Sequence, residues 1–241
     1  MTLLRSLIYF LGVTPLTILF SLISIIILPL PRKTRYLIVI RWSACALWWL
    51  KLTCGLSHEV SGSENIPNDP SVIFCKHQSA WETMSMQFIF PPHAQVLKRE
   101  LFWIPFFGWG LASLNPIAID RSAGAKAMRQ VLKQGQERIK SGWWILLFPE
   151  GTRTPPGSKG EYSPSAAALA KRSACPLVPV AHNAGYYWSR NAFAKRPGVI
   201  QVIIGEPIET AGKSAAEITQ QAEDWVEATC ESLIPDSPQA D

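Results

Sequence analysis

The sequence predicts an α/β fold with a mixed, largely parallel central sheet, flanked by helices and preceded by membrane-associated N-terminal helices. Two observations predict it. Residues 1–56 contain two long apolar stretches, and from Ser57 onward short apolar runs alternate with longer amphipathic segments. Short apolar runs bounded by turn residues are typical of buried strands. Their alternation with helical segments indicates a sheet that is covered by helices.

The first apolar stretch, residues 6–31, carries no charge. As a helix it would be roughly 39 Å long, more than the roughly 30 Å of a hydrocarbon core. Pro15 and Pro29 would kink or end it. A cleaved signal peptide is the alternative, but its apolar region is normally shorter and is followed by an A-x-A-like site. We therefore predict that this segment associates with a membrane.

Arg32, Lys33 and Arg35 directly follow this stretch and outnumber Arg5 before it. An excess of cations on one side predicts that the rest of the chain faces the cytoplasm. The second apolar stretch, residues 36–56, is rich in tryptophan but contains two cations. Such a segment suits a helix in the headgroup layer, with an ordinary core helix as the alternative. A span with an interfacial helix and a re-entrant hairpin both fit.

The remaining elements follow from apolar periodicity and turn residues. The predicted strands are residues 71–75, 94–98, 116–119, 144–148, 177–181 and 199–204. The predicted helices are residues 81–90, 123–140, 164–172 and 215–233. We place the domain boundaries at 1–56 for the anchoring or interfacial helices, 57–234 for the α/β domain and 235–241 for a disordered tail.

Composition and net charge limit the kinds of metal site and binding partner that we expect. The five cysteines are widely spaced without a C-x-x-C pair, which argues against structural zinc and fits a reducing compartment. No two of the four histidines have the helical spacing of metal ligands, so we expect no metal in the site. The formal net charge of +5 favours an anionic partner, either nucleic acid or an anionic membrane surface.

His77 and Glu82 are the candidate catalytic pair. In one unbroken helix they would point about 140° apart, so a contact requires His77 in the turn after strand 71–75 and Glu82 in the first helical turn. A carboxylate on one imidazole nitrogen would fix the tautomer and stabilise the imidazolium. The alternative is a capping histidine with a glutamate that is favoured by the helix dipole.

Ser79 is predicted to be a helix N-cap rather than a nucleophile. No G-x-S-x-G elbow surrounds it, and Glu82 at the third following position would complete a capping box. Glu82 would then have to accept hydrogen bonds from both His77 and the cap amide. We expect the two carboxylate oxygens to divide these roles, since one oxygen is not expected to serve both.

Several basic residues stand where predicted strands end. Lys98 ends one strand, Arg121 follows another, and Arg153 follows strand 144–148 in a corner formed by residues 149–153. The carboxyl ends of parallel strands are the usual ligand edge of an α/β sheet. Arginine, lysine, a threonine hydroxyl and free backbone N–H groups suit a phosphate. The alternative for the corner is a surface turn with a structural Glu150–Arg153 pair.

These residues belong to five short segments that occur in a fixed order. The segments are residues 77–82 (HQSAWE), 98–101 (KREL) with Pro105 and Gly108, 119–121 (IDR), 148–153 (FPEGTR) and 177–180 (LVPV). Together they resemble the ordered motifs of the glycerophospholipid acyltransferases, most closely bacterial 1-acylglycerol-3-phosphate acyltransferases. The resemblance covers roughly residues 57–210.

The resemblance implies that an acyl group passes from a thioester to the sn-2 hydroxyl of lysophosphatidate, with His77 as general base and Glu82 as its orienting carboxylate. It implies a substrate site formed by Lys98, Arg121, Glu150, Gly151, Thr152 and Arg153. No cofactor is implied, because acyl-CoA or acyl-ACP is a donor substrate. The implied partners are a lysophospholipid, the acyl thioester, the bilayer and acyl carrier protein, without nucleic acid. The implied location is the inner membrane, with the catalytic domain facing the cytoplasm.

One departure from the family pattern concerns position 82, where the usual aspartate is a glutamate. The charge is kept, but the side chain gains one methylene, so we expect a changed helix position or approach. Three alternatives remain open from the sequence. They are acyl transfer to another lyso-lipid such as a lyso-ornithine lipid, hydrolysis of the thioester, and a non-catalytic membrane-binding module.

Overall fold

The computed structural model describes residues 1–235, except for the side chain of Arg121. A seven-stranded sheet of order β1-β7-β6-β2-β5-β3-β4 forms its centre. The strands are β1 Leu56–Ser61, β2 Val72–Cys75, β3 His93–Lys98, β4 Ile117–Ile119, β5 Trp144–Leu147, β6 Leu177–His182 and β7 Gly198–Ile204. β6 and β7 pair antiparallel, and the other neighbours pair parallel. The predicted mixed, largely parallel sheet is confirmed.

Helices cover both faces of this sheet. They are α1 Thr2–Ile26, α2 Arg32–Val39, α3 Arg41–Cys54, α4 Trp81–Ile89, α5 Phe107–Ser113, α6 Ala125–Lys140, α7 Ser165–Ser173, α8 Ala184–Tyr187 and α9 Ala215–Ser232. Short 3-10 turns occupy Ser63–Asn65, Arg99–Trp103 and Arg121–Ala123. The six predicted strands and four predicted helices are all present, with ends that differ by at most two residues.

Alternating side chains of β2 show how the two faces are filled. Ile73 packs into a core with α1, α3 and α4, whereas Phe74 packs into a second core with α6, α7 and α9. A strand buried on both faces reads as an unbroken apolar run, which is why β2 was predictable. β1 was not predicted, because its sequence LSHEVS contains few apolar residues and only Leu56 is buried.

The N-terminal segment folds as helices that lie against the α/β part. Of the two outcomes predicted for the prolines, a kink or an end, Pro15 does not end α1, which continues through it, and the chain leaves the helix before Pro29. Trp49 Nε1 lies 3.2 Å from the carbonyl oxygen of Tyr9, and Ser21 Oγ donates to the carbonyl of Phe106 at 2.6 Å. α1 is therefore held to α3 and to the loop before α5.

Two N-terminal segments, Thr2–Ile26 and Arg32–Cys54, are long and apolar enough to cross a membrane. The second is divided into α2 and α3. Buried residues of α1 and α3 share one core with the sheet, so the N-terminal helices pack together with the α/β part. The tail predicted at 235–241 lies, from residue 236 onward, outside the described residues.

Candidate active site

The candidate site lies at the edge of the sheet where five parallel strands end. β6, β2, β5, β3 and β4 run in the same direction, so their carboxyl ends meet at one edge. The segments that leave this edge carry His77 after β2, Lys98 at the end of β3, Arg121 after β4 and residues 149–153 after β5. The predicted convergence of these chain positions on one sheet edge is confirmed.

His77 and Glu82 are in direct contact. His77 Nδ1 lies 2.8 Å from Glu82 Oε1, with His77 in the turn after β2 and Glu82 in the first turn of α4. The predicted break between strand and helix is therefore present. The imidazole stacks on the ring of Phe148, with centroids 4.1 Å apart and planes at 17°. The His77 side chain keeps 13% of its surface exposed, whereas that of Glu82 is fully enclosed.

Glu82 Oε1 accepts three hydrogen bonds. The donors are the His77 ring, the N–H of Gln78 at 2.9 Å and the N–H of Ser79 at 2.8 Å. Burial opposes ionisation of this carboxyl, but the nearby His182 and the hydrogen bonds from His77 and Ser79 outweigh it and lower the pKa of Glu82. An ionised carboxylate only accepts, so His77 Nδ1 carries the proton and Nε2 is left as the basic atom.

This arrangement corrects two predictions about the start of α4. The prediction that one oxygen does not serve both His77 and the cap amide is wrong, because Oε1 does both while Oε2 lies 4.0 Å from His182 Nε2. The N-cap residue is Ala80, not Ser79. Ser79 Oγ instead accepts the N–H of Trp81 at 3.2 Å, so part of the expected cap chemistry is retained one residue earlier.

The Glu150 carboxylate is buried and bonded to groups within the protein. Its Oε2 accepts the N–H of His77 at 2.7 Å, and its Oε1 lies 2.7 Å from Lys76 Nζ and 2.8 Å from Thr154 Oγ1. The side chain of Glu150 has no exposed surface. Glu150 is therefore paired with Lys76 rather than with Arg153, its partner in the structural alternative for this corner. Glu150 fixes the backbone of His77, while Lys76 compensates the charge of the carboxylate.

Two of the residues predicted to bind substrate, Thr152 and Arg153, are accessible at the surface of the corner. Gly151 has a φ of +66°, in the left-handed region that favours glycine, and its N–H donates to the carbonyl of Phe148 at 3.0 Å. Thr152 is exposed and Arg153 is half-buried. Arg153 accepts a bond from Arg190 Nη1 at its carbonyl oxygen, at 3.2 Å, so this contact leaves its guanidinium free to bind an anion.

The two other predicted cations lie at the adjacent strand ends. Lys98 is exposed and pairs in register with Ile119 of β4. Arg121 begins the 3-10 turn that follows β4, and its side chain lies outside the described part of the structure. Asp120, directly before Arg121, pairs with Arg99 at 2.9 Å and accepts from Ser122.

An apolar cavity of about 290 Å³ opens between α1, α3, α4 and α5. Ala80, three residues after His77, contributes to its wall, as do Trp188 and Phe107. Other wall residues are large and apolar: Phe20, Trp42, Met84 and Leu111. The cavity is therefore built jointly by the N-terminal helices and the catalytic sheet.

Comparisons with known proteins bear directly on this site. The profile of the family described as Acyltransferase matches residues 57–183, a range that contains all the predicted site residues. A 1-acyl-sn-glycerol-3-phosphate acyltransferase of Pseudomonas aeruginosa is 45% identical over 236 residues, which cover 96% of this chain and 92% of that protein. The chain belongs to the Acyltransferase family.

More distant relatives agree with this assignment. A 1-acyl-sn-glycerol-3-phosphate acyltransferase of Saccharomyces cerevisiae is 32% identical over 189 residues, covering 74% of this chain and 60% of the yeast protein. The crystal structure of the 1-acyl-sn-glycerophosphate (LPA) acyltransferase PlsC from Thermotoga maritima superimposes with a TM-score of 0.80 at 24% identity. The superposition covers 98% of each chain and shows that the two share a fold that includes the N-terminal helices.

Three residues of this acyltransferase site were missed by sequence reasoning. Lys76 and Glu227 form an ion pair at 2.6 Å behind the histidine. His182, buried at the end of β6, donates from Nε2 to the carbonyl oxygen of Lys76 at 2.9 Å and accepts the N–H of Ala184 at Nδ1. Burial lowers the pKa of His182 despite the neighbouring Glu82. Its position at a parallel strand end, like that of His77, was the available signal.

Proposed function

We propose that this acyltransferase moves a fatty acyl group from a thioester to the sn-2 hydroxyl of 1-acylglycerol-3-phosphate and so forms phosphatidate. The contact between His77 and Glu82 beside the apolar cavity carries the proposal. It supplies a base whose tautomer is fixed, at a sheet edge where cations also collect. The names of the bacterial and yeast relatives support the choice of acceptor.

In the proposed reaction, His77 Nε2 removes the proton of the acceptor hydroxyl as its oxygen attacks the thioester carbonyl. Glu82 contacts the other ring nitrogen, Nδ1, and so stabilises the imidazolium that forms. When the tetrahedral intermediate collapses, the carbon–sulfur bond breaks and the imidazolium returns the proton to the departing thiolate. A new ester and a free thiol result. A positioned general base contributes about 10²–10⁴-fold to such a step.

The cations of the sheet edge are proposed to hold the phosphate of the acceptor. Arg153, Lys98 and Arg121 supply positive charge, and the exposed Thr152 supplies an uncharged donor. Gly151 shapes the turn that presents them, because its own N–H is bonded to Phe148. Arginine is suited to bidentate phosphate binding. Glu150 would shape this site from below rather than touch the ligand, because its carboxylate is enclosed and already bonded to Lys76.

The cavity is proposed to receive an acyl chain. Its wall is mostly apolar and reaches Ala80. Ala80 belongs to the turn between β2 and α4, residues 76–80, which carries His77 and is called the catalytic turn below. A chain lying in the cavity would therefore place its ester or thioester end near His77. The aromatic segment 102–109 contributes Phe107 to this wall. Either acyl-CoA or acyl-ACP could present the donor thioester.

The exposed apolar surface supports a bilayer as the setting. Along α1, Leu3, Leu11 and Ile26 are 64%, 66% and 76% exposed, and Trp103 beside the cavity is 82% exposed. Exposed apolar surface of this extent is typical of membrane contact. We propose that the enzyme lies at the inner membrane with its catalytic edge towards the cytoplasm, as the cations after residue 31 suggest.

The proposed function is tested with the purified full chain in detergent micelles, given lysophosphatidate and an acyl thioester. We expect phosphatidate and free thiol to appear in equal amounts, and only when lysophosphatidate is present. Thiol release without the lysolipid would indicate a hydrolase instead. Product with lyso-ornithine lipid but not with lysophosphatidate would overturn the proposed acceptor.

A further inference from the structure

A buried ion-pair network lies directly behind the catalytic turn. Lys76, the residue before His77, is 1% exposed. Its ammonium lies 2.7 Å from Glu150 Oε1, 2.6 Å from Glu227 Oε1 and 3.2 Å from the carbonyl oxygen of Ser158. Three oxygens therefore surround one buried ammonium, which satisfies the hydrogen-bonding capacity of this group.

Glu227 enters this network from α9, far from the other members in sequence. It stands 151 residues after Lys76 and lies beyond the range 57–183 that the family profile matches. Tyr162 Oη donates to the same oxygen, Glu227 Oε1, at 2.5 Å. The ring of Tyr162 stacks on Phe74 of β2 at 5.6 Å, so this tyrosine links α9 to the strand that leads into the catalytic turn.

The Glu150 carboxylate connects this ion-pair network to His77. Glu150 accepts the N–H of His77 but has no exposed surface of its own. A buried carboxylate keeps its charge only when a cation or hydrogen bonds compensate it. Lys76 supplies that cation. Glu227 in turn holds Lys76 from the other side, and it carries enough exposed surface, 23%, to be hydrated itself.

His77 is thus fixed by contacts from separate elements. Glu82 of α4 holds the ring, Glu150 of the β5 corner holds the N–H, and His182 of β6 holds the preceding carbonyl. The Glu150 contact depends on α9 through Lys76 and Glu227. Without Glu227, the Lys76 ammonium would lose one of its two carboxylate partners. Its less compensated charge would disfavour the imidazolium that His77 must form during the reaction.

We infer that Glu227 is a positioning residue for catalysis, which acts through Lys76 and Glu150 on the orientation and charging of His77. This inference rests on the proposed general-base role of His77. A role limited to fastening α9 to the sheet predicts something different. It would change the free energy of unfolding and leave the kcat of the folded enzyme unaltered.

Glu223 provides a matched control on the same helix. Its main partner is Lys159, at 2.6 Å, a lysine that is 56% exposed, whereas the partner of Glu227 is the buried Lys76. Glu223→Gln and Glu227→Gln therefore remove the same charge from one helix. Both variants are compared with the wild type for phosphatidate formation at saturating donor, with lysophosphatidate varied, and for thermal unfolding.

We expect Glu227→Gln to lower kcat about tenfold with an unchanged KM for lysophosphatidate, an effect typical of coupling within one network. Glu227→Asp should recover much of the loss, and Glu223→Gln should match the wild type. Equal kcat values for Glu223→Gln and folded Glu227→Gln would overturn the inference. Inactivity of the wild type with lysophosphatidate would instead contradict the proposed function.

Tyr162→Phe keeps the test decisive if Glu227→Gln does not fold. It removes only the hydroxyl that donates to Glu227 and retains the ring that stacks on Phe74. We expect a severalfold lower kcat, again without a change in KM. A Tyr162→Phe enzyme with wild-type kcat, together with an unfolded Glu227→Gln, would assign the network to stability alone and overturn the inference.

Discussion

His77 Nδ1 and Glu82 Oε1 lie 2.8 Å apart, on opposite sides of the break between β2 and α4. The two residues are five positions apart, and the turn between them brings the His77 ring to one carboxylate oxygen of Glu82. The glutamate also accepts the N–H groups of Gln78 and Ser79. The carboxylate that contacts the His77 ring is therefore fixed by the same turn that carries His77.

Replacing Glu82 tests the need for charge behind the histidine. Glu82→Gln keeps the length of the side chain but does not stabilise the imidazolium, so we expect kcat to fall about 10²-fold or more. Glu82→Asp keeps the charge and is one methylene shorter, and should lose less. Steady-state kinetics on folded enzyme decide between them. A Gln variant as active as the Asp variant would contradict the role.

Replacing Arg153 tests the phosphate site. A charge-assisted hydrogen bond contributes about 1.5–3 kcal/mol, so Arg153→Ala should raise the KM for lysophosphatidate about 10–100-fold. Arg172→Ala is the control, because Arg172 is an exposed arginine of α7 that bonds Gln136 at 3.2 Å. Equal KM values for the two variants would contradict the assignment of Arg153.

Filling the apolar cavity tests whether it holds an acyl chain. Gly110 lines the cavity, and a Cβ placed there would meet Ser21 Oγ at 3.8 Å, so a side chain can enter without a clash at its base. We expect Gly110→Leu to lower kcat/KM for a hexadecanoyl thioester more than for a decanoyl one. Ala112→Leu, at an exposed position of the same helix, should leave the ratio unchanged. An unchanged ratio in Gly110→Leu would place the chain elsewhere.

Lys195 should make stability depend on pH. Its ammonium lies 3.8 Å from the ring centroid of Phe10 and 4.5 Å from that of Trp188, and it donates to the carbonyl of Phe193 at 2.8 Å. Burial lowers the pKa of Lys195 to about 8. An unfolded lysine keeps its proton to about pH 10.4, so the unfolded state binds more protons above pH 8.

The free energy of unfolding should therefore rise with pH through this window. The relevant quantity is the difference between the wild type and Lys195→Met, because the groups that both proteins share cancel. We expect that difference to shift in favour of the wild type between pH 7 and pH 9.5, as measured by thermal unfolding in detergent. A difference that stays constant with pH would contradict the burial of a titrating lysine.

The position of the site was predictable because strand ends have sequence signatures. His77, Lys98 and Arg153 each follow a short apolar run, and the carboxyl ends of parallel strands share one edge. The contact of His77 with Glu82 was predictable for a similar reason. It needed only one break in the chain, which the end of the β2 run already indicated.

The rest depended on pairings that leave no local pattern. Lys76 meets Glu227 across 151 positions, and neither residue stands in a periodic pattern that names its partner. The pairing of Glu150 with Lys76 was not foreseen for the same reason, since the alternative partner considered, Arg153, is close in sequence whereas Lys76 is close in space. Glu82 Oε1 serves three donors because the turn folds around it, a geometry that residue spacing alone does not specify.

The activity of His77→Ala with lysophosphatidate and an acyl thioester tests the central claim most directly. The account predicts that phosphatidate formation falls at least about 10²-fold while the KM for lysophosphatidate stays near that of the wild type, because the base is lost and the phosphate site is intact. A folded His77→Ala enzyme with activity within a few-fold of the wild type would contradict it.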